Sequence, residues 1–256
     1  MRKHYSVRLF NFDATSGGIK VMWALFGALL LKGEEVIGNA VFNDPENTIG
    51  IYPEISQGNE LQAGTVVRYI LNKPGVMCQN GIPGPTKFAD TDIQFVFSRM
   101  FAPETPENRL LFLPVINTEV FFNKNKKRTK NAVFVGKGQD TGVHPEDCIV
   151  IDRQLAQDQE KLADILNECE VLYSYDPVSA MTEIARLCGC RVSYLSYEYS
   201  KEDYLLYEPG INGITFPDDE SINELDCEAF TRHYKGLQAR FWDIELPNFI
   251  KVTQEK

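Results

Sequence analysis

The sequence predicts an α/β chain built from two parallel-sheet halves. Three observations carry that prediction. Short apolar, β-branched stretches alternate with longer helix-compatible ones, which is the rhythm of parallel strands joined by crossover helices. The rhythm breaks at Asn123–Lys130 (NKNKKRTK), which holds Lys124, Lys126, Lys127, Arg128 and Lys130 and no apolar residue, and then it restarts. The length of 256 residues also accommodates two small domains, since one domain takes roughly 100–200 residues.

In the first half, Tyr5–Phe10 (YSVRLF) alternates polar and apolar residues as a strand does. Thr15-Ser16-Gly17-Gly18 closes the following loop, and Ser16 can N-cap a helix over Gly18–Lys32 that Gly33 stops. Glu35–Phe42 and Ile49–Tyr52 read as the next strands. Leu61–Leu71 is amphipathic and ends at Asn72-Lys73-Pro74-Gly75. Val76–Cys78, Ile93–Phe97 and Leu110–Leu113 are further strand candidates. In the second half, Asn131–Val135, Cys148–Ile151, Val171–Tyr173, Cys190–Leu195 and Ile214–Phe216 read as strands. Gln157–Cys169, Val178–Cys188 and Ser221–Trp242 read as helices.

The composition is that of a globular chain, 43% hydrophobic and 24% charged. Thirty-six acidic residues against 26 basic ones give a net charge of −10. That excludes a general nucleic-acid binder, whose affinity rests on basic surface, and it disfavours broad adhesion to anionic lipid. The apolar run Val21–Leu31 is shorter than the roughly 18–20 residues of a spanning helix, so no integral membrane segment is expected. Six cysteines without a C-x-x-C pair, and three histidines, argue against structural zinc. Cysteines in apolar stretches suit reduced thiols and a cytoplasmic protein.

In open parallel sheets, ligands bind beyond the carboxyl ends of the strands. Gly17 and Gly18 sit at such an end, where a helix start attracts phosphate or carboxylate; a tight strand–helix turn needs the same residues. Gly136-Lys137-Gly138 follows a strand, with a lysine suited to a diphosphate; an exposed turn lysine reads the same way. Asp90-Thr91-Asp92 has a metal-binding D-x-D pattern, but an acidic chain produces it by chance, and the plain reading is preferred. Tyr175-Asp176-Pro177 ends a strand. Asp176 can cap the next helix with Pro177 near its first position, and the amides of Val178, Ser179 and Ala180 can hold a phosphate. Asp176 and Glu183 fall about two turns apart, on one side of a helix. An N-cap aspartate and a solvated glutamate would look the same.

Glu170–Leu195 (EVLYSYDPVSAMTEIARLCGCRVSYL), with its strand, acid, and helix leading into a glycine, resembles the second domain of GT-B glycosyltransferases. With Gly189 as the anchor, Asp176 takes the first acid position, Ile184 takes the second, and Glu183 is displaced by one. Arg191 stands at the usual proline. Ser16–Val21 with Leu30–Val36 resembles the opening of that family, and Tyr52-Pro53-Glu54 with Val66–Gly75 resembles bacterial group 1-like members. Glu208–Phe216 resembles its late "N-G-x-L-F" turn. The resemblance implies two Rossmann-like domains facing across a cleft, in a compact version: 1–123 for the acceptor, 124–222 for the nucleotide-sugar, and 223–256 as a helix crossing back.

The resemblance further implies transfer of a sugar from a nucleotide-diphosphate donor to a glycan, lipid-linked or small-molecule acceptor. It implies retention of configuration, no metal and no separate cofactor. Gly17, Gly18, Gly136, Lys137, Gly138, Tyr175, Val178, Ser179 and Ala180 would meet the donor, and Asp176 and Glu183 would orient its sugar or ribose. Glu54 is a candidate acceptor contact or base, or else a surface turn. A nucleotide-sugar epimerase on the same architecture and a non-catalytic nucleotide- or sugar-binding module are the alternatives.

Overall fold

A computed structural model describes residues 2–79, 81–217 and 227–256. The chain forms two compact units, Met1–Val115 with Leu237–Lys256, and Ile116–Gly236. The helix start at Ser221 and the domain boundary at 222 expected from the sequence lie outside the described residues.

The first unit holds β1 (His4–Val7), α1 (Gly17–Leu31), β2 (Val36–Gly38), β3 (Thr48–Pro53) and β4 (Thr65–Ile70). A small hairpin, β5 (Cys78–Gln79) with β6 (Ile82–Pro83), and β7 (Ile93–Val96) follow. The sheet is parallel, in the order β2-β1-β3-β4-β7. Ser16 caps α1 as its residue type dictates, its Oγ accepting the Ile19 N–H at 3.4 Å. Gly33 takes the left-handed conformation, φ 78°, that ends the helix.

Alternation fixes which side of this sheet is buried under helices. Tyr5, Val7, Ile49, Ile51, Val67, Tyr69 and Phe95 share one face and pack with Val21, Met22, Leu25 and Leu29 of α1. Phe249 joins them from the end of the chain, its ring 4.7 Å from that of Phe95. The opposite face is covered by loops. Gly50 is glycine there because a Cβ would come within 2.9 Å of the Ala63 Cβ.

The expected helical rhythm is therefore corrected in this unit. The stretch 61–71 contributes the interior strand β4 and no amphipathic cover, because Thr65, Val66 and Val67 are β-branched and the strand is flanked by β3 and β7. Val76–Cys78 yields only the β5 edge of the hairpin. Leu110–Leu113 is reduced to one parallel bridge, Leu110 to Val96.

The second unit holds β8 (Lys130–Phe134), β9 (Ile149–Val150), α2 (Arg153–Gln157), α3 (Gln159–Glu168) and β10 (Cys169–Ser174). It continues with α4 (Ala180–Leu187), β11 (Arg191–Tyr194), α5 (Lys201–Leu205) and β12 (Ile214–Thr215). This sheet is also parallel, in the order β12-β11-β10-β8-β9. The helix expected over 157–169 is α3, which Asp158 caps by accepting the Lys161 N–H, and the short α2 precedes it. The described C-terminal helices are α6 (Cys227–Arg240) and α7 (Leu246–Gln254), joined by the π-helical turn Phe241–Glu245.

Counted within each unit, both sheets have the strand order 2-1-3-4-5. Sequence neighbours run one way from the first strand and then the other. The reversal lies between β1 and β3 in the first unit and between β8 and β10 in the second, and the crevice for a ligand opens at the carboxyl ends of those pairs.

Candidate functional site

The second unit has the more elaborated crevice. β8 and β10 pair as far as Phe134 and Ser174, and the Tyr175 N–H continues the ladder onto the Phe134 carbonyl at 3.0 Å. The loops then meet. Buried Asp176 accepts the Lys137 N–H on Oδ2 at 2.9 Å and the Val178 N–H on Oδ1 at 3.0 Å. The Lys137 ammonium lies 3.3 Å from Asp176 Oδ1 and donates to the Val178 carbonyl at 2.6 Å. One carboxylate and one lysine thus stitch the loop after β8 to the loop after β10.

Glycine is required at two points of this seam. A Cβ on Gly136, which has φ 55°, would lie 2.1 Å from Asp176 Oδ2, and one on Gly138 would lie 1.9 Å from the Tyr175 carbonyl oxygen. Gly138→Ala is expected to cost about 1–3 kcal/mol by overpacking, read as a lowered thermal midpoint. Gly17→Ala serves as the control. A Cβ on Gly17 would meet nothing within 4 Å, so its midpoint should not fall. Equal midpoints for the two variants would refute the close approach.

Asp176 does not cap the helix, and α4 starts at Ala180 rather than Val178. Ser179 is the cap, its Oγ accepting the Met181 N–H at 3.1 Å. Asp176 turns back to Lys137 and Val178 because proline at 177 keeps the chain extended there. The Val178 N–H is taken, while those of Ser179 and Ala180 have no partner among the described residues. Glu183 is buried and accepts the Tyr207 hydroxyl at 2.5 Å, so the two acids serve different partners. Burial and the adjoining Glu183 carboxylate push the Tyr207 phenol well up.

Three aromatic or imidazole groups complete the crevice, and the sequence alone does not single them out. Tyr194 and Tyr204 both donate to the Pro177 carbonyl, at 3.1 and 2.5 Å. His144 meets the Tyr175 hydroxyl through Nδ1 at 3.0 Å. The Y-rich stretch from 194 to 207 is visible in the sequence, but its convergence on Pro177 depends on how α5 returns.

In the first unit, Glu54 immediately follows β3. It is buried, and Oε2 accepts the Leu71 N–H at 3.0 Å. Burial pushes its carboxyl up to about 7, against the pull of the Leu71, Glu54 and Asn72 N–H groups. A Cβ on Gly18 would lie 3.6 Å from Leu71 Cδ1. Glu54 and the start of α1 therefore flank the same residue at the carboxyl edge of the sheet. A carboxyl group with a pKa near 7 can exchange protons at neutral pH.

The remaining sequence signals have structural partners. Asp92 of the D-x-D pattern is bound by Arg68 Nε at 2.7 Å, and among the described residues no group of three His, Cys, Asp or Glu is placed to hold a metal ion. The basic stretch is paired with α3: Lys124 and Lys126 with Asp164, Lys126 and Lys130 with Glu168. All six cysteines are unbridged, and burial pushes the Cys169 thiol up to about 11 and the Cys188 thiol up to about 12. Among the described residues no helix is long and apolar enough to cross a membrane. A cavity of about 600 Å³ lies beside Arg128, Gly189 and Arg191, and one of about 450 Å³ beside Gly27, Leu31 and Trp242. Neither adjoins Lys137 or Glu54, and the strand-order reversal is the better guide because it places backbone amides and a cation together.

No protein-family model matches the chain, and no curated protein matches it. Among solved structures it is similar to the spinosyn forosaminyltransferase SpnP, at 12% identity and a TM-score of 0.43, over 100% of this chain and 94% of that one. It is similar to the glycosyltransferase SnogD from Streptomyces nogalater at 10% and 0.42, over 98% and 99%. It is also similar to the protein KP1_0663 from Klebsiella pneumoniae subsp. pneumoniae NTUH-K2044 at 13% and 0.42, over 77% and 84%.

Proposed function

We propose that this protein is a glycosyltransferase that uses a nucleotide-diphosphate sugar, with its donor site in the second unit and its acceptor site in the first. The observation that carries the reading is the β8–β10 crevice, where Lys137 and the Ser179 and Ala180 amides adjoin at a strand-order reversal. The sequence resemblance around Glu170–Leu195 supports the same reading.

Departure of a nucleoside diphosphate builds negative charge on the leaving oxygens. An ammonium and oriented amides stabilise that charge without reorganising. Lys137 would exchange the Val178 carbonyl and Asp176 for phosphate, while Asp176 keeps the two loops in register. This division of labour needs no metal. Glu54, with its pKa near 7, would take the acceptor proton. Retention of configuration and a cytoplasmic setting belong to the same reading, and the unbridged cysteines suit a reducing compartment.

Calorimetric titration with UDP- and GDP-sugars tests it. A donor that binds should be hydrolysed slowly without acceptor, and Lys137→Ala should weaken it about tenfold, the scale of one charge-assisted hydrogen bond. Conversion of the donor sugar to its epimer would replace transfer by epimerisation. Binding that is indifferent to Lys137→Ala and shows no turnover would reduce the protein to a binding module.

A further inference from the structure

We propose that His144 is a phosphate-contacting residue of the β8–β10 crevice, presented as an Nε2–H donor by Tyr175; the proposal rests on the reading of that crevice as a nucleoside-diphosphate site. His144 lies on the loop after β8 and Tyr175 immediately after β10, so their contact spans the two walls of the crevice. The loop is braced at Asp140, whose Oδ1 accepts the Gly142 N–H at 2.8 Å, and Gly142 takes the left-handed turn, φ 71°. The imidazole stands edge-on to the Tyr175 ring, with centroids 5.7 Å apart and planes at 76°. It is held at one nitrogen and along its edge.

The hydrogen-bond arithmetic fixes the tautomer. The Tyr175 hydroxyl oxygen accepts the Val143 N–H at 3.1 Å. Its own proton then has one acceptor among the described residues, His144 Nδ1 at 3.0 Å. A neutral imidazole that accepts on Nδ1 carries its proton on Nε2. Asp140 Oδ1 stands 3.5 Å from the same Nδ1, farther than the Tyr175 hydroxyl. Only the Nδ1–H tautomer lacks that donor, and it would leave the buried Tyr175 hydroxyl proton without an acceptor. Nε2 itself has no partner among the described residues. This donor belongs to the same two loops, after β8 and after β10, that carry Lys137 and the Ser179 and Ala180 amides, and an N–H donor fixed in direction suits a diphosphate oxygen.

The test combines nitrogen NMR of the imidazole with calorimetry on the whole chain, using UDP and GDP as probes and uridine and guanosine as phosphate-free controls. The free protein should show His144 protonated at Nε2, and the diphosphates should shift that signal. His144→Ala should weaken the diphosphates about tenfold and leave the nucleosides unchanged. Tyr175→Phe keeps the ring contact but removes the hydroxyl that holds His144 Nδ1 and the Val143 N–H, and it should lose part of that affinity while the NMR signal no longer shows Nε2 protonation alone. An imidazole protonated at Nδ1 alone overturns the proposal whatever the nucleotides do. Unchanged diphosphate affinity in His144→Ala, with wild-type binding intact, overturns it and leaves the reading of the crevice standing. Failure of the wild type to bind either diphosphate overturns both.

Discussion

Arg68→Ala should destabilise the first unit by about 3–5 kcal/mol, the range for removing one partner of a buried ion pair. Arg68 projects from the loop-covered face of β4. Its Nε donates to Asp92 at 2.7 Å, and both side chains are only 6% exposed. Its two Nη groups donate to the Ser56 carbonyl at 3.2 Å and the Gly58 carbonyl at 2.6 Å. The guanidinium also lies over the Tyr52 ring, 4.8 Å from its centroid. Truncation would leave the Asp92 carboxylate in a low-dielectric site without its counter-charge and strip two carbonyls of their donors. Asp92→Asn should cost less, since the guanidinium keeps both carbonyls and the ring.

Both tryptophans, Trp23 and Trp242, belong to the first unit. Tryptophan fluorescence during urea unfolding therefore reads that unit by itself. The loss should also change little between low and high salt, because a buried pair is poorly screened. A loss under about 1 kcal/mol, or one that vanishes in salt, would match an exposed pair and refute the account.

Arg68 also shows where sequence reading stops. A lysine or arginine in an alternating stretch reads as solvent-facing, which makes 61–71 look amphipathic. No local pattern reveals that loops carrying Ser56, Gly58 and Asp92 fold over that face. Elements whose signals are local are legible: the Ser16 cap and Gly33 stop of α1, and the strands around Ile49, Ile93, Ala132 and Val192. At the candidate site, Gly136, Lys137 and Asp176 are visible as types at strand ends. Their mutual bonding is not, since it follows from the β8–β10 register. Asp176 illustrates the difference. Its place just before Pro177 suits an N-cap, yet the helix starts at Ala180, and Ser179, which reaches the Met181 N–H, takes that place and leaves Asp176 to bind Lys137.

The second large effect is a pH dependence that Glu54→Gln should abolish. Glu54 has a pKa of about 7 in the fold, against 4.5 for the unperturbed group. Between those values the folded chain holds a proton that the unfolded chain has released. Stability therefore falls as pH rises, by about 1.4 kcal/mol per unit and about 3 kcal/mol in all. The contribution of Glu54 is complete below pH 4.5 and is lost as pH climbs through 7. Glutamine keeps an oxygen for the Leu71 N–H but cannot ionise. Glu54→Gln should match the wild type near pH 4 and exceed it by about 3 kcal/mol at pH 8, again by tryptophan fluorescence in urea. The difference between the two curves isolates this one group, because every other titrating residue is common to both. Parallel curves would show that the carboxyl is not held neutral by burial. A group that weakens the fold at neutral pH while occupying the carboxyl edge of the sheet is placed as a proton-exchanging residue would be. If Glu54 takes the acceptor proton, the stabilised variant should lose transfer while donor binding in the second unit stays unchanged. Stabilisation with transfer intact would confine Glu54 to fastening Leu71.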